Sequence, residues 1–391
     1  MIKDLKIEHV DTESSFGGRI LKIITSNNSF ETPCRVVTST ENRYKRDLTL
    51  SPLDNKGELP VKVYEYVKGF REGGNIKKLH KNSGFLKEQL KQIDDNLRGY
   101  DNALTFTTLQ YPSDTILTDE DIVALVYLQC RSIADCVEIP EMTPNVSVET
   151  YLKILKPARR TIEWFGKEPV PTIYMHNENV DLFREKIEAI AGEEFKMAIL
   201  KYANFDEFFP NYACVKEIAK EHEILFHLTG VPRVVSRSQN NYVHIPQIFG
   251  IDLSSPRTPI FGGEIPPRTP ENTRRFDSIS LGNLTLTEHI EEYGEDLGCT
   301  CPVCKNKNVV EYIGEYSSCP NSKVNNPIYL YSRMHEIFAS VSEFDQGKKY
   351  IKKGQTEEYF ANKKHAKGII TNLAKVMNDY KHEQKTLLDF S

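Results

Sequence analysis

Along the first 255 residues, short apolar runs bounded by polar or turn residues alternate with amphipathic helical segments. The runs 34–38, 103–107, 135–139, 172–176, 197–201, 224–228 and 248–253 read as strands. The segments 119–133, 181–191 and 211–222 carry apolar residues at three-to-four spacing, with Asp119 and Asp181 near their starts. Strand alternating with helix implies a parallel sheet. Seven such strands with an eighth unplaced predict an α/β fold, a (β/α)8 TIM-type barrel, rather than an open sheet. The stretch 40–100 is too long for a simple crossover and reads as an insertion.

Beyond the alternation the chain changes character. Cysteines cluster in Gly298-Cys-Thr-Cys-Pro-Val-Cys304, with Cys319 a little further on. A 39% hydrophobic, 27% charged chain without a signal-like N-terminus or a long apolar run is expected to be a globular protein of the cytoplasm. There a disulfide framework is not expected, so the cluster reads as a metal site. A knuckle of this spacing supplies three thiolates, Cys299, Cys301 and Cys304, and zinc prefers a tetrahedron. The fourth ligand is His335, on a predicted helix over 328–344, with Cys319 as the competitor. Four protein ligands leave no open position, so the zinc is expected to be structural. Cys34, Cys130, Cys136 and Cys214 are scattered and read as small buried hydrophobes. The expected division is a barrel core over 1–285 with its insertion near 40–100, a zinc-binding subdomain over 286–345, and a C-terminal helical segment over 346–391.

Function in such a barrel sits at the C-terminal strand ends. The polar residues near the predicted strand limits are Asp101, Glu138, His176, Lys201, the Leu228-Thr-Gly230 turn and Asp252. Two carboxylates there are able to divide labour as nucleophile and acid or base. Net charge is −5, which excludes attraction of nucleic acid by the whole surface but leaves room for local basic patches. Those patches are Arg43-Tyr-Lys-Arg46, the arginines Arg257, Arg268, Arg274 and Arg275, and lysines over 348–353 and 363–367.

A barrel followed by Cys-x-Cys-x-x-Cys and a helical His resembles the tRNA-guanine transglycosylase superfamily. Thr32-Pro-Cys-Arg-Val-Val resembles that family's opening strand, and Val137-Glu-Ile-Pro140 its Leu-Asp-Ile-Pro segment. Met175-His-Asn-Glu-Asn-Val-Asp-Leu-Phe-Arg184 resembles the Val-Gln-Gly segment, and Phe226-His-Leu-Thr-Gly-Val-Pro232 the His-Leu-Leu-Gly turn. Gly250-Ile-Asp-Leu-Ser-Ser stands in the place of the segment bearing the nucleophile. The family's Asp-Ser-Gly-Gly-Phe-Gln signature is replaced by Tyr100-Asp-Asn-Ala-Leu-Thr-Phe106, and its Gly-Gly by Leu200-Lys201. With no long RNA-binding extension either, the chain resembles most the DpdA branch, which acts on DNA.

The resemblance implies exchange of guanine in DNA for a 7-deazaguanine, such as 7-cyano-7-deazaguanine. Asp252 would attack C1′ of the flipped-out nucleoside and form a covalent glycosyl-enzyme, and Asp101 would deprotonate the incoming base. Glu138 would accept hydrogen bonds from N1 and the exocyclic amine. His176, Lys201 and Gly230 would complete the base site, and the zinc would be structural. The alternatives are a tRNA-guanine transglycosylase of the archaeosine type and a non-catalytic partner subunit of such an enzyme.

Overall fold

The structure is a computed structural model that describes residues 1–41, 61–70, 73–112, 115–143, 145–176, 179–233, 240–258, 269–317 and 327–389. The chain opens with β1 (Ile2–Val10), β2 (Arg19–Thr25) and β3 (Ser29–Glu31), a small antiparallel sheet. The barrel strands follow: β4 (Cys34–Arg35), β5 (Val37–Thr38), β6 (Val63–Gly69), β7 (Leu104–Gln110), β8 (Cys136–Ile139), β9 (Glu168–Tyr174), β10 (Met197–Lys201), β11 (Leu225–Val231) and β12 (Leu253–Pro256). They lie in the order β4-β12-β11-β10-β9-β8-β7-β6-β5, and every pairing is parallel. Because β4 and β5 are halves of one strand parted only at Val36, the two edges meet and the sheet closes as an eight-stranded barrel. The predicted fold class stands.

Two expectations change in detail. The stretch 40–100 supplies β6, the missing eighth strand, and the helices Gly73–Lys81 and Ser83–Leu97. It is a βα unit of the barrel rather than an insertion between units. The strand expected over 248–253 is instead a 3₁₀ turn at Ile245–Phe249, followed by Gly250 at φ 68° and then β12. A Cβ at Gly250 would sit 2.9 Å from the Ala219 side chain, so both space and backbone favour glycine there.

Inside the barrel, side chains are layered. Val63, Leu104, Cys136, Met197, Leu225 and Leu253 begin their strands and share one apolar core with Ile2, Leu5, Leu21, Ile23 and Phe30 of the first sheet. That sheet therefore plugs the N-terminal end, the floor. Two to four residues further along the same inward-facing rows stand Glu65, Thr108, Glu138, Lys201, His227, Thr229 and Ser255. The upper half is polar, and the C-terminal end is the mouth.

Beyond the barrel come a hairpin, β13 (Arg274–Asp277) with β14 (Gly282–Thr285), and the helices Leu286–Tyr293, Val309–Ser317 and Pro327–Ile351. They enclose a separate apolar cluster that includes Leu297, Val303, Tyr312, Tyr316, Tyr331 and Met334. The helix Pro327–Ile351 runs through the expected boundary at 345, so the knuckle unit and the C-terminal helical segment share it. The later helices Thr356–Ala361 and Lys364–Asp389 join the main core through Tyr359, Phe360, Ile370 and Leu373. No helix among the described residues is long and apolar enough to cross a membrane.

Candidate metal centre and barrel mouth

The knuckle brings Cys299, Cys301, Cys304 and His335 together, their ligand atoms all within 4.8 Å of one another. His335 Nδ1 lies 3.6, 3.3 and 3.2 Å from the three sulfurs. A tetrahedral zinc with its usual bond lengths would set each such separation at about 3.5 Å. The other ring nitrogen, Nε2, stands 2.8 Å from the Phe276 carbonyl, which can only accept. Nε2 therefore carries the proton and the Nδ1 lone pair faces the sulfurs, as a metal ligand requires. The buried Arg275 guanidinium donates to Cys304 Sγ at 3.1 Å and offsets thiolate charge. The four side chains form a cluster able to hold a metal ion, and its donor set suits zinc. Cys319 lies outside the described residues.

A buried charge network joins this centre to the barrel. Arg35 of β4 pairs with Glu41 and lies 3.6 Å from Glu336, the residue after His335. Arg333 binds Glu336 and approaches Glu41 at 3.7 Å, while Arg233, beyond β11, stands 3.5 Å from Glu336. Helix Pro327–Ile351 thus presents the His335 imidazole to the knuckle and a carboxylate to the barrel.

At the mouth, a cavity of about 350 Å³ is lined by Thr108, Gln110, Lys201, Thr229, Gly230 and Arg257 among others. Lys201 Nζ pairs with Glu138 at 2.8 Å and donates to the Leu109 carbonyl at 3.1 Å. The Glu138 carboxylate, fully buried, also accepts from Thr172 Oγ1 at 2.9 Å and from the Leu109 amide. Three of the expected site residues, Glu138, Lys201 and Gly230, therefore meet in one place. His176 follows β9 on the same side, exposed, its ring 5.0 Å from that of Tyr174, and it is not among the cavity's lining residues.

The two expected catalytic carboxylates stand elsewhere. Asp252 precedes β12, so it lies at the floor and not at a C-terminal strand end. Arg19 Nε and Nη2 clasp its two oxygens, Thr32 Oγ1 donates to Oδ1 at 2.9 Å, and the Phe226 amide to Oδ2 at 2.9 Å. Four donors on a side chain this deeply buried leave it no face for a substrate. Arg19 in turn donates to the carbonyls of Ala219, His222 and Ile224. Asp101 precedes β7, exposed, also on the floor side, its carbonyl accepting from Asn27. The structure brings neither carboxylate to the mouth.

Among the basic candidates, 43–46 and Arg268 lie outside the described residues. Arg257 lines the mouth cavity, whereas Arg275 serves the knuckle. Lys348 is paired with Asp345 and Lys363 with Glu343.

Sequence reasoning missed Glu65. It is buried on β6, accepting from Thr108 Oγ1 and, at 3.0 Å, from Thr229 Oγ1. Burial pushes its carboxyl above the ordinary range, against the hydroxyl donors and Lys201. The signal was available: Val-Tyr-Glu-Tyr-Val over 63–67 is rich in residues that favour strands. The same reasoning missed Glu141 and Lys186, a fully buried pair that fastens the helix Val180–Gly192 near the mouth.

These features define a (β/α)8-barrel protein with an appended Cys3His centre. No protein-family model matches the chain, and no curated protein matches it in sequence. Among solved structures it is similar to 3-dehydroquinate dehydratase from Geobacillus kaustophilus, with a TM-score of 0.39 and 9% identity over 64% of this chain and 87% of that one. It is similar also to the YdjI aldolase from Escherichia coli K12, with a TM-score of 0.36 and 9% identity over 80% of this chain and 94% of that one. A tryptophan synthase α-subunit from Pyrococcus furiosus gives 0.32 and 12% over 58% and 87%. Likeness at this level carries no argument about chemistry.

Proposed function

We propose that the chain binds a guanine-type base in the barrel mouth and exchanges it at a glycosidic bond of DNA, with a structural zinc in the knuckle. The observation that carries this reading is the Glu138–Lys201 pair, whose lysine lines the cavity with the buried carboxylate behind it. A carboxylate is a two-point acceptor for the N1–H and exocyclic amine of a guanine edge. Lys201, on a flexible stem, already makes a second bond to a carbonyl and is able to turn aside for such a base. A cavity of about 350 Å³ lies within the range of small-ligand sites. Arg257 at its edge supplies a cation for a neighbouring phosphate. The covalent step expected of Asp252 is not carried into this reading.

The test is incubation with labelled 7-cyano-7-deazaguanine and either duplex DNA or tRNA. Label is expected in DNA, lost in Glu138→Gln. Label in tRNA alone moves the protein to the archaeosine-type alternative. One observation favours a second reading, a non-catalytic partner subunit: Asp252 and Asp101 both stand at the floor. Base binding without incorporation into either nucleic acid selects that reading.

A further inference from the structure

We infer that Glu65 is the proton acceptor of the mouth, reached from the cavity through the hydroxyl of Thr229. The inference rests on the mouth being a ligand site and deepens it. Four side chains form one line. His227 Nε2 lies 3.2 Å from Ser255 Oγ, Ser255 Oγ donates to Thr229 Oγ1 at 3.2 Å, and Thr229 Oγ1 donates to Glu65 Oε1 at 3.0 Å. A hydroxyl has a single proton, and Ser255 spends its own on Thr229. His227 must therefore donate from Nε2, and every donor in the line points toward Glu65. Thr108 Oγ1 donates to the same carboxylate oxygen.

Thr108 and Thr229 line the cavity while Glu65 sits directly beneath them, so their two hydroxyls connect it to the mouth. The second oxygen, Oε2, is buried and has no hydrogen-bond partner among the described residues. A carboxylate left half-satisfied out of water gains by taking a proton. The groups facing it are Thr108 from β7, Lys201 from β10, His227 and Thr229 from β11, and Ser255 from β12, with Thr38 of β5 opposite in register. Lys201 is the cation among them. Burial pushes His227 down to about 3, so at neutral pH it is uncharged and does not compete for the proton.

The step balances without a co-reactant. A ligand N–H in the cavity passes its proton to Thr229 Oγ1 while Thr229 passes its own to Glu65 Oε1. The N–H bond breaks, one O–H bond forms on Glu65, and Thr229 is unchanged. The ligand keeps the electron pair, beside the Lys201 ammonium. Glu65 and His227 act through Thr229 and are positioning residues rather than catalytic ones.

Infrared difference spectroscopy tests this on the full chain. Without ligand, Glu65 should titrate above the ordinary carboxylate range, and its carboxyl band should vanish in Glu65→Gln, whose amide oxygen still accepts from both threonines. On addition of 7-cyano-7-deazaguanine the band should grow in the wild type and in Thr229→Ser but not in Thr229→Val. Equal growth in Thr229→Val, or a band that survives Glu65→Gln, overturns the inference. If the base does not bind, the proposed exchange falls, and the ligand-free titration still decides Glu65. An ordinary carboxylate value overturns its role, and a raised value that moves in Thr229→Val upholds it.

Discussion

At the floor of the barrel Asp252 meets Arg19; at the mouth Glu138 meets Lys201. Both carboxylates are fully buried, yet the surroundings differ. Asp252 takes bonds from a guanidinium fork, a hydroxyl and an amide, and the first sheet seals it off. The Arg19 side chain is 1% exposed, that of Lys201 17% and at the edge of a cavity. A guanidinium is rigid and pre-organised, whereas an ammonium on four methylenes exchanges partners readily. A satisfied, sealed pair holds structure together. A pair whose cation reaches solvent can open for a ligand.

The widest test of the contrast removes the metal. Purified protein is expected to hold about one zinc per chain. Stripping it, or Cys301→Ser, should unfold the knuckle, because structural zinc contributes about 10–16 kcal/mol to folding in small zinc domains. Hydrogen exchange should then rise over 297–335 and around Arg35 and Glu41, which the knuckle helix grips, while β1 and β2 stay protected. Loss of protection at the floor as well would mean the two ends are not separate.

Asp252→Ala comes next. It strands a buried guanidinium, and breaking such a pair costs about 3–5 kcal/mol. A large fall in Tm is expected, with Arg19→Ala similar. An Asp252→Ala protein with wild-type Tm and no exchange would return Asp252 to the chemistry and end the contrast.

Glu138→Gln should do the reverse. Stability should change by about 1 kcal/mol, since the amide still accepts and Lys201 is able to reach water. Base binding should weaken about 10- to 100-fold, the loss of charge-assisted bonds worth about 1.5–3 kcal/mol. Calorimetric titration with the base, beside a melting curve, separates the two effects.

The effect that is smallest at neutral pH lies between the ends, at His227. Its folded pKa is depressed from 6.5 to about 3, so the unfolded chain binds a proton that the folded chain refuses in that window. Stability should be unaffected by this group above pH 6.5 and should decline as pH falls from 6.5 toward 3. His227→Gln should flatten that decline in part, because buried His244 is depressed as well and contributes in the same direction. An unchanged acid limb would show that His227 is charged in the folded state.

The Cys3His cluster was legible because three of its residues are local in sequence and the fourth lies on a predicted helix. Several strands were legible as short apolar runs between helical segments, as with Met197–Lys201, which matches to the residue. Asp252 was misplaced by a few residues of register. An apolar run ending in Gly-Ile-Asp reads as a strand closing on a carboxylate, whereas the 3₁₀ turn at Ile245–Phe249 takes the apolar residues and the strand begins after Asp252. That shift carries a side chain from one end of the barrel to the other. Glu65 was hidden because the long spacing before β7 suggested an insertion, and its partners Thr108, Thr229 and Ser255 come from three other strands. No local pattern records such a meeting.

His335 and Glu336 are neighbours on one helix, about 100° apart around its axis, and each answers to a different part of the molecule. The knuckle is therefore not a cassette. A graft that moved it to another barrel would carry Glu336 without Arg35, Glu41 and Arg233, and a deletion would leave the guanidinium groups of Arg35 and Arg233 facing one carboxylate fewer. Descendants of this fold would have to lose or exchange the metal unit together with the barrel residues that clasp it, so the two should change in step over evolutionary time.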